Sequence, residues 1–236
     1  MKIEALFPEV CNLFGDLSNI EYLKKTLPDA ELINSPMTDE PAFVTEDIDL
    51  IYMGPMTENT QVKVIEKLMP HKKRINRLIQ QGTVFLMTGN ALEIFGNYIE
   101  NEDGSKIPCL GIFKIYAKRD MMHRHNSNFL GLYDELFIMG FKTQFTMAYP
   151  ENGDEDEDDD EGFIRVVDGI GLNKSSIFEG IHRNNFFGTY LTGPLLIMNP
   201  SFTKYLLSIL GRGDTPLAFE SAVCEAYDKR MEDFFR

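Results

Sequence analysis

The chain has 236 residues, 43% of them hydrophobic, and a formal net charge of −14 at pH 7. That is enough apolar material for a full core, and the wrong sign for a surface that neutralises phosphates, so no nucleic acid and no membrane is expected as a partner. More than half of the negative balance sits in the unbroken acidic run Asp154 to Glu161, inside a segment at about 150–162 that reads as a solvated, flexible loop because adjacent like charges repel and resist burial.

The first ten residues, MKIEALFPEV, lack the apolar stretch of an export signal, and no apolar run approaches the roughly 18 residues of a membrane span. Cys11, Cys109 and Cys224 lie far apart with no CxxC pairing, which fits a reducing compartment and a cytoplasmic location rather than a disulfide framework.

In chain order, Lys2 to Phe7, Ala30 to Ile33, Asp49 to Met53 and Thr83 to Met87 read as strands, the later ones nearly all apolar as in a sheet covered on both faces. Helices are expected between them. Ser18 and Glu21 have the spacing of a capping box, and Asn59 to Leu68 places Val62, Ile65 and Leu68 on one face. Pro70 breaks or kinks that pattern before a further helix around Arg74 to Gln80. The alternation predicts right-handed crossovers and a mostly parallel sheet whose sites collect at the carboxyl ends of its strands.

The stretch VFLMTGNALEIFG, Val84 to Gly96, has the layout of a nucleophile elbow: an apolar strand, a small-residue turn at Gly89 and Asn90, and a helix carrying Leu92, Phe95 and Ile99. After Pro108 the pattern changes, and FLGLYDELFIMGF, TQFTMAY, FIRVVDG and FFGTYLTG read as strands separated by turns. Ser201 to Leu210 and Leu217 to Phe235 return to helix. One domain spanning 1–236 is expected.

His71 and His182 stand alone, and His123 and His125 are two apart without an accompanying carboxylate or cysteine set, so neither a metal nor another cofactor is expected. The acidic run lacks the ligand spacing and central glycine of a calcium loop. Cys109, following Pro108 at a strand start, reads as a small buried hydrophobe.

Four stretches carry a family resemblance. LFGDLSN (Leu13 to Asn19), YMGPMTENTQ (Tyr52 to Gln61), MTGNALEIFG (Met87 to Gly96) and FGTYLTGPLLIMNP (Phe187 to Pro200) resemble the type 1 glutamine amidotransferases of the cobyric acid synthase branch. In length and layout the chain is most similar to the glutaminase subunits of lipid II isoglutaminyl synthase. The resemblance implies a flavodoxin-like three-layer α/β/α fold with a mostly parallel central sheet and added antiparallel strands. It also implies the chemistry: a cysteine at the elbow attacks the glutamine amide, a histidine activates it, backbone N–H groups hold the oxyanion, and ammonia passes to a synthetase.

Laid on the family's pattern, this chain departs at each catalytic part. The nucleophile's position is Gly89, which has no side chain, and Glu93 takes the position of a glutamine. The base's position, between Leu191 and Gly193, is Thr192, whose hydroxyl has no basic form near neutral pH. The oxyanion loop reads Met53-Gly54-Pro55-Met56, and proline has no N–H to donate. The former pocket would thus comprise Gly54, Pro55, Gly89, Asn90, Glu93 and Thr192. Asp16, Asn19, Gly188, Tyr190 and Gly193 retain the scaffold's motif positions, with Asp16 expected to cap a helix.

Two function classes follow. One is a catalytically degenerate amidotransferase-like subunit or regulator of a Mur-ligase-like synthetase, in cell-wall or cobalamin biosynthesis. The other is altered chemistry in the same cleft: an amidase or hydrolase using Thr88, Thr192 or Glu93, or a sensor of a glutamine-like small molecule.

Overall fold

A computed structural model describes residues 1–151 and 161–235, so most of the acidic run lies outside the described residues. The chain opens with β1 (Lys2–Leu6), α1 (Ser18–Thr26), β2 (Glu31–Ser35), β3 (Leu50–Met53), α2 (Glu58–Leu68), α3 (Lys72–Gln81) and β4 (Val84–Thr88). Every strand and helix expected up to Met87 is present. Pro70 falls in a short 3-10 turn, Met69–His71, between α2 and α3, where its missing N–H interrupts the helical ladder. Thr57 caps α2, accepting the Thr60 N–H at 3.3 Å, and Gly82 ends α3 in the left-handed region at φ 85°.

The capping box at α1 does not form. The residue preceding the helix is Leu17, without a side-chain cap; the Ser18 hydroxyl donates to the Gly15 carbonyl at 2.7 Å. Asn12 Oδ1 accepts the Leu17 N–H at 2.9 Å instead. The elbow helix is also shorter than expected. Gly89–Phe95 forms a 3-10 helix, and Ile99 lies in β5 (Tyr98–Glu100). The carbonyls that would continue the helix go elsewhere: Ile94 accepts Leu110 N–H at 2.9 Å, Phe95 accepts Ile112 N–H at 2.9 Å, and Gly96 accepts Gly111 N–H at 2.6 Å.

Downstream come β6 (Lys106–Pro108), β7 (Ile115–Arg119), β8 (His125–Tyr133), β9 (Leu136–Gln144), β10 (Thr146–Pro150), β11 (Gly162–Asp168), β12 (Phe178–Arg183) and β13 (Phe186–Thr189). FLGLYDELFIMGF is a hairpin, its two strands joined through Asp134 at φ 49°. TQFTMAY is divided at Phe145 between β9 and β10, which belong to different sheets. The chain then forms α4 (Leu195–Met198), α5 (Pro200–Ile209) and α6 (Glu220–Phe234).

The main sheet has nine strands in the order β2-β1-β3-β4-β13-β12-β11-β8-β9. Its first five strands pair in parallel and the rest are added antiparallel. One face packs Ile51, Met53, Phe85 and Met87 under Val64, Leu68, Leu78 and Ile79 of α2 and α3. The opposite face packs Ile3, Leu50, Tyr52 and Leu86 with Leu23 of α1, Leu206 of α5 and Val223 of α6. This two-sided burial explains the unbroken apolar runs of β3 and β4. A second sheet, β10-β7-β5-β6, was not anticipated. Among the described residues no helix is long and apolar enough to cross a membrane.

Candidate functional site

The carboxyl ends of β3, β4 and β13 converge, and with them Gly54-Pro55, Gly89-Asn90 and Tyr190 to Gly193. Gly89 sits at φ +58°, the backbone that a sharp strand-to-helix turn requires and that glycine adopts at little cost. The space beside it is occupied. A Cβ built on Gly89 would lie 2.5 Å from Pro55 Cβ and 3.3 Å from Thr192 Cγ2. Gly54 is hemmed in as well, since a Cβ there would meet the Cys11 carbonyl oxygen at 2.5 Å. Gly188 is closed by Leu92, whose Cδ1 would stand 2.5 Å from an added Cβ, whereas Gly193, at φ +86°, has open space beside it.

Asn90 ties the elbow to the loop after β3: its Nδ2 donates to the Met56 carbonyl at 2.8 Å and its Oδ1 accepts the Met56 N–H at 3.0 Å. Thr192 is pinned to β9, its N–H and hydroxyl both donating to the Phe141 carbonyl, at 2.9 Å and 3.2 Å. That hydroxyl therefore serves the backbone. Thr88 is likewise committed: it is fully buried and its hydroxyl donates to Asp16 Oδ2.

Asp16 does not cap a helix. Its carboxylate is fully buried, and Tyr52 Oη donates to its Oδ2 at 2.6 Å and to its backbone carbonyl at 2.8 Å. Asn19 Nδ2 donates to the same carbonyl at 2.9 Å, while Asn19 Oδ1 accepts the Leu196 N–H at 2.9 Å. The LFGDLSN segment thus joins the ends of β3 and β4 to the loop after β13. Burial pushes the Asp16 carboxyl up to about 6, with the Thr88 and Tyr52 hydroxyls and the nearby Gly193 N–H pulling the other way.

Glu93 is the second buried carboxylate. Gln61 Nε2 donates to its Oε2 at 2.8 Å and Tyr190 Oη to its Oε1 at 3.1 Å. Gln61 in turn accepts from Arg119 Nη2 at 2.7 Å. Burial pushes Glu93 up to about 7, and the hydrogen bonds from Gln61 and Tyr190 oppose that shift. Tyr190 is anchored from the other side, its N–H donating to Glu179 Oε1 at 2.8 Å. Glu179 pairs at 3.4 Å with Lys142, both side chains wholly buried; desolvation lowers the Lys142 pKa while Glu179 opposes it.

A cavity of about 270 Å³ lies over this arrangement. Pro55, Gly89, Asn90, Glu93, Tyr190 and Thr192 line it, together with Arg124, Thr143, Gln144 and Phe145. The structure therefore gathers the former-pocket residues expected from sequence, with Gly54 just behind them. Gln61, Arg119, Gln144 and Arg124 were not anticipated. Gln61 closes the YMGPMTENTQ stretch and was the one sequence signal available; the others come from strands and loops distant in the chain.

The histidines stand apart from the cavity wall. His123 Nδ1 lies 2.9 Å from Asp120, and His125 Nε2 lies 2.9 Å from the Ser127 hydroxyl. His182 Nδ1 is 3.1 Å from the Phe186 carbonyl, and burial lowers its pKa. Among the described residues no group of three His, Cys, Asp or Glu side chains could hold a metal ion.

The CobB/CobQ-like glutamine amidotransferase domain matches residues 2–200. The subunit GatD of lipid II isoglutaminyl synthase (glutamine-hydrolyzing) from Streptococcus pneumoniae is 26% identical over 220 residues, covering 88% of this chain and 79% of that protein. The Staphylococcus aureus GatD subunit is 25% identical over 211 residues, covering 88% of this chain and 83% of that one. A glutamine amidotransferase crystal structure superposes with a TM-score of 0.54 at 10% identity, over 89% of this chain and 99% of that one, a likeness of fold alone. The match from the first strand through the start of α5 establishes that this chain belongs to the CobB/CobQ-like glutamine amidotransferase family.

Proposed function

We infer that this chain is a non-hydrolysing member of its family, acting in the cytoplasm as one amidotransferase-like domain that docks on and regulates a Mur-ligase-like synthetase. The carrying observation is the filled space at the elbow: Pro55 Cβ stands 2.5 Å from where any Cβ of residue 89 would be. Nucleophile, base and oxyanion positions have changed together, and Gly89, Pro55 and Thr192 pack against one another as a set. Such mutual fit favours a settled arrangement over a single lost residue. A hydroxyl nucleophile gains no support, because Thr88 and Thr192 both spend their hydroxyls on internal acceptors, and among the described residues no imidazole lines the cavity.

A synthetase partner is supported by the relatives, which are named as subunits of a lipid II isoglutaminyl synthase. The test is co-expression with the Mur-ligase-like synthetase of the same cell. The two chains are expected to co-elute in size-exclusion chromatography, and the complex to amidate its acceptor with ammonium but not with glutamine. Separate elution, or amidation driven by glutamine, would overturn the reading.

A further inference from the structure

A second cavity, of about 290 Å³, lies away from the elbow and shares no lining residue with the first. It is lined by the start of β7, the end of β10, the start of β11 and the loop that leads into β12. Ile115, Leu172 and Ile181, all buried, line it with Pro150 and Phe178, and Ile177 carries the apolar lining outward, being 55% exposed. The polar groups of the lining loop are already spent on the chain itself. Asn173 Nδ2 donates to the Ala148 carbonyl at 2.8 Å, and its Oδ1 accepts the Ser175 hydroxyl at 2.8 Å and the Ser176 N–H at 3.1 Å. The Ser176 hydroxyl donates to the Phe178 carbonyl at 2.7 Å, and Glu161 is held by Arg183 at 3.0 Å. These bonds hold the loop in place around a formed cavity and leave hydrocarbon as what its floor can take. Residues 152–160, which separate the lining residues Pro150 and Glu161 in sequence, include no apolar side chain that could fill it. One lining group stays unspent: Lys114 is exposed, and among the described residues no carboxylate pairs with its ammonium.

We propose that this cavity is a binding site for a small apolar monocarboxylate, its hydrocarbon body lying on Ile115, Leu172, Ile177, Phe178 and Ile181 and its carboxylate received by Lys114. Removing hydrocarbon from water supplies the affinity, about three- to fourfold for each methylene group buried. The ammonium of Lys114 sets the sign of the head group, because a charge-assisted hydrogen bond is open to a carboxylate and closed to an amine. A dicarboxylate gains nothing from its second charge, since Arg183 is already engaged by Glu161. The site is independent of whether the elbow hydrolyses glutamine.

The test is thermal shift and calorimetry on the full chain with n-octanoate, n-hexanoate, n-octanol and n-octylamine at an ionic strength of about 0.15 M, where charges more than about 8 Å away are largely screened. Octanoate is expected to raise Tm by about 2 °C or more at saturating concentration, hexanoate to bind about tenfold more weakly than octanoate, and octylamine to bind more weakly than octanol. Two variants at exposed side chains separate the head from the body. Lys114→Gln should weaken octanoate about threefold or more and leave octanol unaffected, whereas Ile177→Ser should weaken both about fivefold. No response to octanoate, octylamine bound as tightly as octanoate, or octanoate affinity unchanged in Lys114→Gln or in Ile177→Ser would overturn the assignment.

Discussion

Placing a cysteine at the elbow is expected to damage the protein. Gly89→Cys should lower the unfolding free energy by about 2–5 kcal/mol, because two costs combine. A side chain at φ +58° enters the left-handed region, worth about 1–2 kcal/mol. Its Cβ also lands 2.5 Å from Pro55 Cβ, and forcing atoms into a packed site costs about 1–3 kcal/mol. The second cost depends on Pro55 and the first does not. Combining Gly89→Cys with Pro55→Gly should therefore recover more than additivity allows, with a coupling of at least about 1 kcal/mol in a urea-unfolding double-mutant cycle. Strict additivity would show that Pro55 does not occupy the ground of a side chain at position 89.

The second large effect concerns pH. Glu93 is raised from its ordinary 4.5 to about 7 in the folded protein, chiefly by burial. At pH 4 both folded and unfolded states are largely protonated at this position. Between roughly pH 4.5 and 7 the unfolded chain releases the proton and the folded protein keeps it, so stability falls as pH rises, reaching its full loss once the folded group ionises. A shift of that size corresponds to about 3 kcal/mol. Glu93→Gln removes the titrating group and keeps an acceptor for Gln61. The variant should be more stable than wild type by about 2–3 kcal/mol more at pH 8 than at pH 5, measured by urea unfolding at both values. A pH-independent difference would mean that Glu93 ionises normally in the fold.

What was legible in the chain follows from local physics. The strands β3 and β4 announce themselves because burial on both faces leaves few polar positions, Thr88 at the end of β4 being one, and the elbow is visible because few residues other than glycine suit the turn at 89. Pro70 marks its own helix break. The misses share a cause in tertiary contacts. Ile99 fits a helical face in sequence, yet the 110–113 segment captures the carbonyls that would have extended the helix. The strands Tyr98–Glu100 and Lys106–Pro108 have three residues each, too few for a period to register. Asp16 has the look of a turn residue because its partners Tyr52 and Thr88 lie 36 and 72 residues away. The chain from Arg119 through Gln61 to Glu93 and Tyr190 likewise depends on a sheet that sequence spacing did not announce. The motif stretches supplied several residues that line the cavity, whereas the approach of Pro55 and Thr192 to Gly89 is a property of the folded chain.

The most direct measurement of the central claim is ammonium release from amide-15N-labelled glutamine, followed by NMR with the purified chain alone and co-purified with the proposed Mur-ligase-like synthetase. The proposed non-hydrolysing reading predicts release no faster than in buffer, in both samples. Release above that level, abolished by Thr88→Val or Thr192→Val, would contradict it and return the site to the working enzymes of the family.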